Sequence, residues 1–530
     1  MTADPSVEQQ KNETAGSTED ASRANDAELP IRKHYGPLPG DPDLDAWIAS
    51  RSAAPAPYRP RAMVYVGHQS PQVTGERVRI LTELGAESIL LACDLPSQLG
   101  FDPDHRLSRA QVGRAGVSCA TLDDARAIFA ATDVAALDSV GMLANSVGHV
   151  GLAMVSEVLR ERRAGHVGLV MQNDPLKEFT ARGTEIFTPE QARRLACDAV
   201  AYAIEENLPG YAMTVCSNHY DVAGAGPVVA VAFALSNAIS YLDELVIRGY
   251  DPAAAARRIM LFLNERSDLF LGAVVFRYTR SLWGNILRDR YGVDPEPVAL
   301  MGYSHGLETN AEPLVNVPRC AVSVTAAVLG GADYLCAAAY DEALRVPSLD
   351  AAALALRTQQ VVGNEHGVAM SVDPLAGSHK MEEIGAWFTD QVTAEMARVE
   401  ANGGGLACIQ NGYIVRRIDE LRSRRTRQLD SGERVWIGEN ANRTPQWEQL
   451  FQGSSAPASG TADIETDLAN RVGAHKREYA GPRLDGCLAE VERCAAGSDN
   501  VVPATVRALH VGATIEQLMD ATRRGLESAA

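Results

Sequence analysis

No Cys-x-x-Cys pair occurs among the nine cysteines of this 530-residue chain, and no Cys/His group has zinc-site spacing. A zinc ribbon is therefore not expected. The cysteines are scattered and odd in number. Most interrupt apolar runs, as in Leu91-Ala92-Cys93 and Thr214-Val215-Cys216, and so read as buried free thiols in a reducing compartment. No run of about 18 apolar residues exists, so no membrane-crossing helix is expected. Positive charge is short: 49 Lys and Arg stand against 68 Asp and Glu, for a net charge of −19 and a pI of about 5.1. Such a surface repels phosphate backbones, and nucleic acid is not an expected partner. The N-terminus has no basic stretch followed by an apolar core. A cytoplasmic location is therefore expected.

What is present is ordinary globular material, 46% hydrophobic and 22% charged. The length predicts two to four domains at roughly 100–200 residues each, or one large barrel with additions. Residues 1–30 lack aromatic residues and apolar periodicity and read as a disordered tail. An N-terminal extension over 31–60 follows, then a different pattern over 61–345. Short apolar runs alternate there with helix-like segments. The runs are Ala62–Val66, Ser88–Cys93, Leu137–Leu143, Val167–Met171, Met213–Cys216, Ile259–Leu263, Pro297–Met301 and Ala332–Ala337. Continuous rather than alternating runs suit parallel strands buried on both faces. Eight βα units in about 280 residues predict an α/β fold of the (β/α)8, or TIM-barrel, type. An open doubly wound sheet would need a Gly-rich phosphate loop after the first strand, and Gly67-His68-Gln69-Ser70 is not one. From 346 to 530 a helical region is expected, with a Ser/Gly/Ala-rich linker at Gln452–Thr461.

Barrel active sites lie at the C-terminal strand ends. Here those ends read Gly67-His68-Gln69, Asp94-Leu95-Pro96, Ala144-Asn145-Ser146, Gln172-Asn173-Asp174, Ser217-Asn218-His219, Asn264-Glu265, Tyr303-Ser304-His305 and Tyr340-Asp341-Glu342. Amides and imidazoles converge with few ionic groups. That points to a pocket for a polar ligand rather than to a hydrolytic triad or a metal cage.

Several of these segments resemble one family. Asp94-Leu95-Pro96-Ser97-Gln98-Leu99-Gly100-Phe101-Asp102-Pro103-Asp104-His105 is similar to a stretch of the adenosylcobalamin-dependent acyl-CoA mutases. So are Gln172 to Phe179 with Arg182-Gly183-Thr184, Asn218-His219-Tyr220-Asp221-Val222-Ala223-Gly224-Ala225, Arg357-Thr358-Gln359-Gln360 and Val372-Asp373-Pro374-Leu375-Ala376-Gly377-Ser378. The resemblance runs in order from about residue 31 to the end. The resemblance implies a TIM barrel whose bore threads an acyl-CoA. It also implies a radical 1,2 carbon-skeleton rearrangement begun by homolysis of a Co–C bond. The family's cobalamin domain carries Asp-x-His-x-x-Gly, whose histidine ligates cobalt. No Asp-x-His occurs in this sequence. The expectation is therefore a large subunit in a hetero-oligomer with a small cobalamin-binding subunit. A GTPase chaperone is a further partner that the resemblance leaves open.

The resemblance assigns His219, Tyr65 and Asn218 to catalysis. His219 would hydrogen-bond the thioester carbonyl. Arg182 stands where methylmalonyl-CoA mutases grip the free carboxylate, and a guanidinium matches a carboxylate bidentately. The same spacing also allows an i,i+4 ion pair with Glu178. Gln172, Arg258, Arg59 and His68 fall on the substrate side, although Arg258 reads equally as a surface charge beside Arg257. Glu342, His305 and Asn145 fall on the cofactor side. His68 and His305 suit an unusual polar acyl substituent or plain loop capping. No metal ligand is assigned to this chain. Methylmalonyl-CoA/succinyl-CoA is the expected substrate type. Another branched acyl-CoA, or a non-catalytic CoA-ester-binding homologue, is the alternative. The departures from the family motivate it: Asn218 for a tyrosine, Val64-Tyr65-Val66-Gly67 with either Tyr65 or Val66 at the radical-shielding position, His305 for a glutamine and Ala338 for an asparagine.

Overall fold

The structure, a computed structural model, describes residues 59–294, 298–306, 309, 311–369, 373–444 and 461–529. The expected tail, nearly all of the N-terminal extension and nearly all of the Gln452–Thr461 linker lie outside the described residues.

Nine parallel strands form the centre: β1 (Arg61–Val66), β2 (Ser88–Ala92), β3 (Ser139–Leu143), β4 (Gly168–Val170), β5 (Gly210–Tyr211), β6 (Met213–Cys216), β7 (Ile259–Asn264), β8 (Leu300–Tyr303) and β9 (Tyr334–Cys336). They pair in the order β5-β4-β3-β2-β1-β9-β8-β7-β6. Only Ala212 separates β5 from β6, so these are halves of one barrel strand. The first half pairs with β4 and the second with β7, which closes the ring at eight strand positions. Gly210 permits the switch. Its φ is 82°, and a Cβ there would lie 2.4 Å from the Leu169 nitrogen and oxygen.

The strand expected over Pro297–Met301 is shifted to Leu300–Tyr303. Its polar end resembles a loop in sequence, but Tyr303 is an inward-facing strand residue. Period-two alternation divides the apolar residues into two layers. Met63, Leu90, Met260, Phe262, Met301, Tyr303, Tyr334 and Cys336 face the bore. Val64, Val66, Ile89, Leu91, Leu261 and Leu263 face the surrounding helices. At the N-terminal mouth, Tyr211 and Tyr334 meet edge to face at 6.4 Å. The Arg61 Nε donates to Asp138 at 2.5 Å, and its guanidinium lies over the Tyr334 ring at 5.1 Å.

The outer ring is α1 (Pro71–Glu83), α2 (Leu122–Ile128), α3 (Gly148–Glu161), α4 (Pro189–Glu205), α5 (Gly226–Ile247), α6 (Leu269–Tyr291), α7 (Asn316–Leu329) and α8 (Leu349–Asn364). Starts are set by capping. Ser70 accepts from the Val73 amide, and Thr188 with Gln191 forms a capping box ahead of Pro189. α8 lies beyond residue 345 yet packs on β1 and β9. α5 is long and apolar enough, by composition, to cross a membrane. Its apolar surface is instead covered by β6 and β7 on one side and by α9 (His379–Ala401) on the other.

The remaining helices wrap the barrel. α10 (Tyr413–Asp430) packs on the turn Asp221–Ala225 that precedes α5. Of α11 (Thr461–Tyr479), α12 (Pro482–Ala496), α13 (Val501–His510) and α14 (Ile515–Ser528), the first and last hold the loop after β2, α13 packs on α3 and α4, and α12 packs on α13 and α14. Lys476 Nζ of α11 lies 2.8 Å from Asp102, 2.7 Å from Asp104 and 3.4 Å from Glu516. This is the one group of three carboxylates or other metal-ligating side chains gathered closely enough to hold an ion among the described residues, and an ammonium fills it.

Backbone approach inside the ring is testable. A Cβ on Gly141 of β3 would lie 1.7 Å from the Val170 oxygen, whereas one on Gly165 would meet nothing within 4 Å. Gly141→Ala is expected to destabilise the protein by about 3 kcal/mol or more, and Gly165→Ala by less than about 0.5 kcal/mol. Urea unfolding followed by tryptophan fluorescence reads the difference.

Candidate active site

The side chains at the C-terminal rim are delivered by strand register. Tyr65 points into the bore, whereas Val66 lies in the outer layer. The Tyr65 hydroxyl donates to Gln172 Oε1 at 3.4 Å, and its ring lies 4.7 Å from that of Tyr303. Burial pushes the Tyr65 phenol well above its ordinary pKa. Tyr303 is the hub of the far wall. Its hydroxyl donates to Glu342 Oε1 at 2.8 Å, and its ring stacks on His305 at 5.4 Å with 12° between planes.

Beside Tyr65 sit amides with unused polar atoms. Gln172 is fully buried, and its Nε2 has no protein partner. Asn145 is 3% exposed, has a φ of 38°, and pairs neither of its amide atoms with protein. Its backbone amide donates to the Gln172 carbonyl at 2.8 Å. A buried amide without partners, held in a left-handed backbone, is costly unless a ligand completes it.

Arg182 comes from a π-helical turn, Glu178–Arg182, that ends on Gly183 at φ 71°. The expected ion pair with Glu178 is loose at 3.9 Å. Glu178 is instead taken by buried Lys177 at 2.5 Å and by the Thr184 hydroxyl. Burial raises the Glu178 carboxyl, but the Lys177 and Arg182 cations outweigh it and hold the group below its usual range. The Arg182 guanidinium reaches across to the β2 loop, where its Nη1 donates to Gln98 Oε1 at 3.1 Å. Gln98 is itself anchored by Nε2 on the Cys93 carbonyl at 2.6 Å. Arg182 remains 28% exposed.

His219 follows β6 on the short turn Asn218–Tyr220. Its Nδ1 has no protein partner, and neither does Asn218 Oδ1. Burial, then the charges of Lys177, Arg182 and His305, push the imidazole well below an ordinary histidine pKa. It is therefore a neutral ring with one N–H to donate. Asn173 and Asp174, next to Gln172, are structural: Asn173 Nδ2 donates to the Ala196 carbonyl at 3.1 Å. Asp174 accepts from the Cys216 amide at 2.9 Å and the Tyr241 hydroxyl at 2.7 Å.

The rim thus gathers Tyr65, Asn145, Gln172, Arg182, Asn218, His219, His305 and Glu342. His68 stands at the same rim, where its backbone amide donates to Thr74 at 2.9 Å and burial lowers its pKa. Arg59 and Arg258 lie at the opposite end, ahead of β1 and β7. Arg59 pairs with Glu87. Arg258 donates to the Gly210 carbonyl at 3.4 Å and borders, with Arg257 and Tyr211, a cavity of about 230 Å3. Sequence reasoning placed Tyr303 at a strand end and Gln98 in a family-like stretch but gave neither a role in the site. An inward/outward count along β8 was the available signal for Tyr303.

A closed parallel ring with unused amide atoms, a neutral imidazole and a directed guanidinium, Arg182, at its C-terminal rim defines a barrel enzyme for a polar organic ligand. The chain belongs to the methylmalonyl-CoA mutase family, whose profile matches residues 51–528. It is 29% identical over 483 residues to the 2-hydroxyisobutanoyl-CoA mutase large subunit of Aquincola tertiaricarbonis, covering 89% of this chain and 85% of that one. Identity is 31% to the ethylmalonyl-CoA mutase of Cereibacter sphaeroides, over 87% of this chain and 72% of the relative. It is 27% to the methylmalonyl-CoA mutase of Escherichia coli, over 94% and 69%. The relatives are acyl-CoA mutases, and this chain is of that isomerase class.

The depressed pKa of His219 has a direct consequence. Because the charged form is disfavoured, lowering the pH from 8 to 6 leaves the ring neutral. In 15N-histidine spectra its nitrogens keep neutral-ring shifts over this range, and an acid-side loss of activity there arises from another group.

Proposed function

We propose that this chain is the acyl-CoA-binding subunit of a mutase acting on a substrate with a second carboxylate, of the methylmalonyl-CoA/succinyl-CoA type. The carrying observation is Arg182: a partly exposed guanidinium aimed over the site by Gln98 while other groups occupy Glu178. A planar guanidinium suits a carboxylate. His219 donates its N–H to the thioester oxygen, where charge accumulates in the rearranging acyl group. Gln172 Nε2 offers a second donor, and the Tyr65 and Tyr303 rings keep water out. The Tyr303–His305 stack, Glu342 and the unpartnered Asn145 amide fit the adenosyl face of adenosylcobalamin, on which the family depends. When bound, that cofactor supplies the radical that removes substrate hydrogen.

A small cobalamin-binding partner would contribute the cobalt ligand. The extended match to a protein named as a large subunit supports this reading. The altered residues Asn218, His305 and Ala338 keep another branched acyl-CoA as the second reading.

The test is turnover by this chain with its cobalamin-binding partner and adenosylcobalamin. Loss of one charged hydrogen-bond partner costs about 1.5–3 kcal/mol. Arg182→Gln is therefore expected to lower kcat/KM for methylmalonyl-CoA about ten- to a hundred-fold and to leave an uncharged acyl-CoA unaffected. An unchanged dicarboxylic substrate overturns the assignment.

A further inference from the structure

One cavity away from this site has an unusual lining for an acidic protein. It measures about 290 Å3 and lies where α10 crosses the start of α5. Six arginines border it, Arg266, Arg417, Arg424, Arg425, Arg427 and Arg434, against a single carboxylate, Glu420. Arg266 pairs with Asp221, and Arg417 pairs with Glu420 at 2.8 Å and Glu395 at 3.4 Å. Among the described residues no carboxylate forms an ion pair with Arg425 or Arg427. Arg425 rests instead against the Trp436 ring at 5.4 Å. Burial lowers the pKa of Arg425 and of Arg434; at Arg425 the Asp221 carboxylate opposes this and the Arg266 cation adds to it.

The backbone adds to the same field. Residues 226–229, the first turn of the 22-residue α5, form one wall, and no side chain caps that helix. Its dipole places further positive potential there. Like charges packed this closely destabilise one another unless an anion joins them.

We propose that this cavity is a binding site for a small polyanion of the diphosphate class. Arg425 and Arg427, neither in an ion pair among the described residues, suit two anionic groups, and the volume admits a diphosphate. The site is separate from the Arg257–Arg258 cavity, which opens at the opposite end of the barrel, before β7.

Calorimetric titration of the full chain with inorganic pyrophosphate tests this, with and without saturating acyl-CoA. The expected result is saturable binding in both cases, with a rise in the thermal midpoint. Arg425→Gln/Arg427→Gln should weaken it tenfold or more, and Arg258→Gln should leave it unchanged. ADP and GDP arms identify the source: tighter binding than pyrophosphate marks a nucleotide, and equal binding marks the free diphosphate. The proposal is overturned by absence of saturable heat, by equal competition from sulfate at matched ionic strength, or by binding that survives the double variant. It is also overturned if acyl-CoA or Arg258→Gln abolishes binding.

Discussion

Parallel pairing is the constraint on which this molecule depends. A strand that must run the same way as its neighbour cannot return directly; it returns through a helix outside the ring. Every strand therefore ends on the same rim, whatever its place in the chain. Residues as distant as Tyr65, Gln172, His219 and Tyr303 become neighbours for that reason alone. Closure demands more of the fifth strand position, where the chain leaves one neighbour and joins another within a residue of Ala212.

Charge at the rim is arranged in a sequence of commitments. Lys177 satisfies Glu178 in the interior, which leaves Arg182 to be aimed by Gln98. Both cations, with burial, keep His219 neutral. A neutral donor and a directed cation thus coexist in one small volume. The electrostatic cost of burying Lys177 has a use beyond its own pairing.

The barrel was legible in the sequence because buried parallel strands are apolar on both faces, and eight such runs were countable. Boundaries at β4 and β8 were less so, since Met171 is apolar outside a strand and Tyr303 is polar-tipped inside one. The split at Ala212 leaves no compositional trace. The rim residues were legible where a strand end carried an amide or imidazole. The partner that aims Arg182 was not, because Gln98 reaches it from another loop, 84 positions earlier in the chain. The ion pair read from Glu178–Arg182 spacing is loose because spacing says nothing about the stronger claim of Lys177. Arg59 and Arg258 sit at strand starts, and a strand start in a parallel ring is always the far end from the rim.

The bore described by Met63, Met260 and Met301, stoppered below by Tyr211, Tyr334, Arg61 and Asp138, has a kinetic meaning. An open tube would join the rim to bulk water through the centre of the molecule. A filled one makes entry from below a matter of side-chain exchange. Unbranched thioethers are the apolar groups that rearrange most readily. Any arm that threads this barrel must evict them in turn, and they close again behind it. The same filled bore that such an arm would have to open also separates the rim from water below.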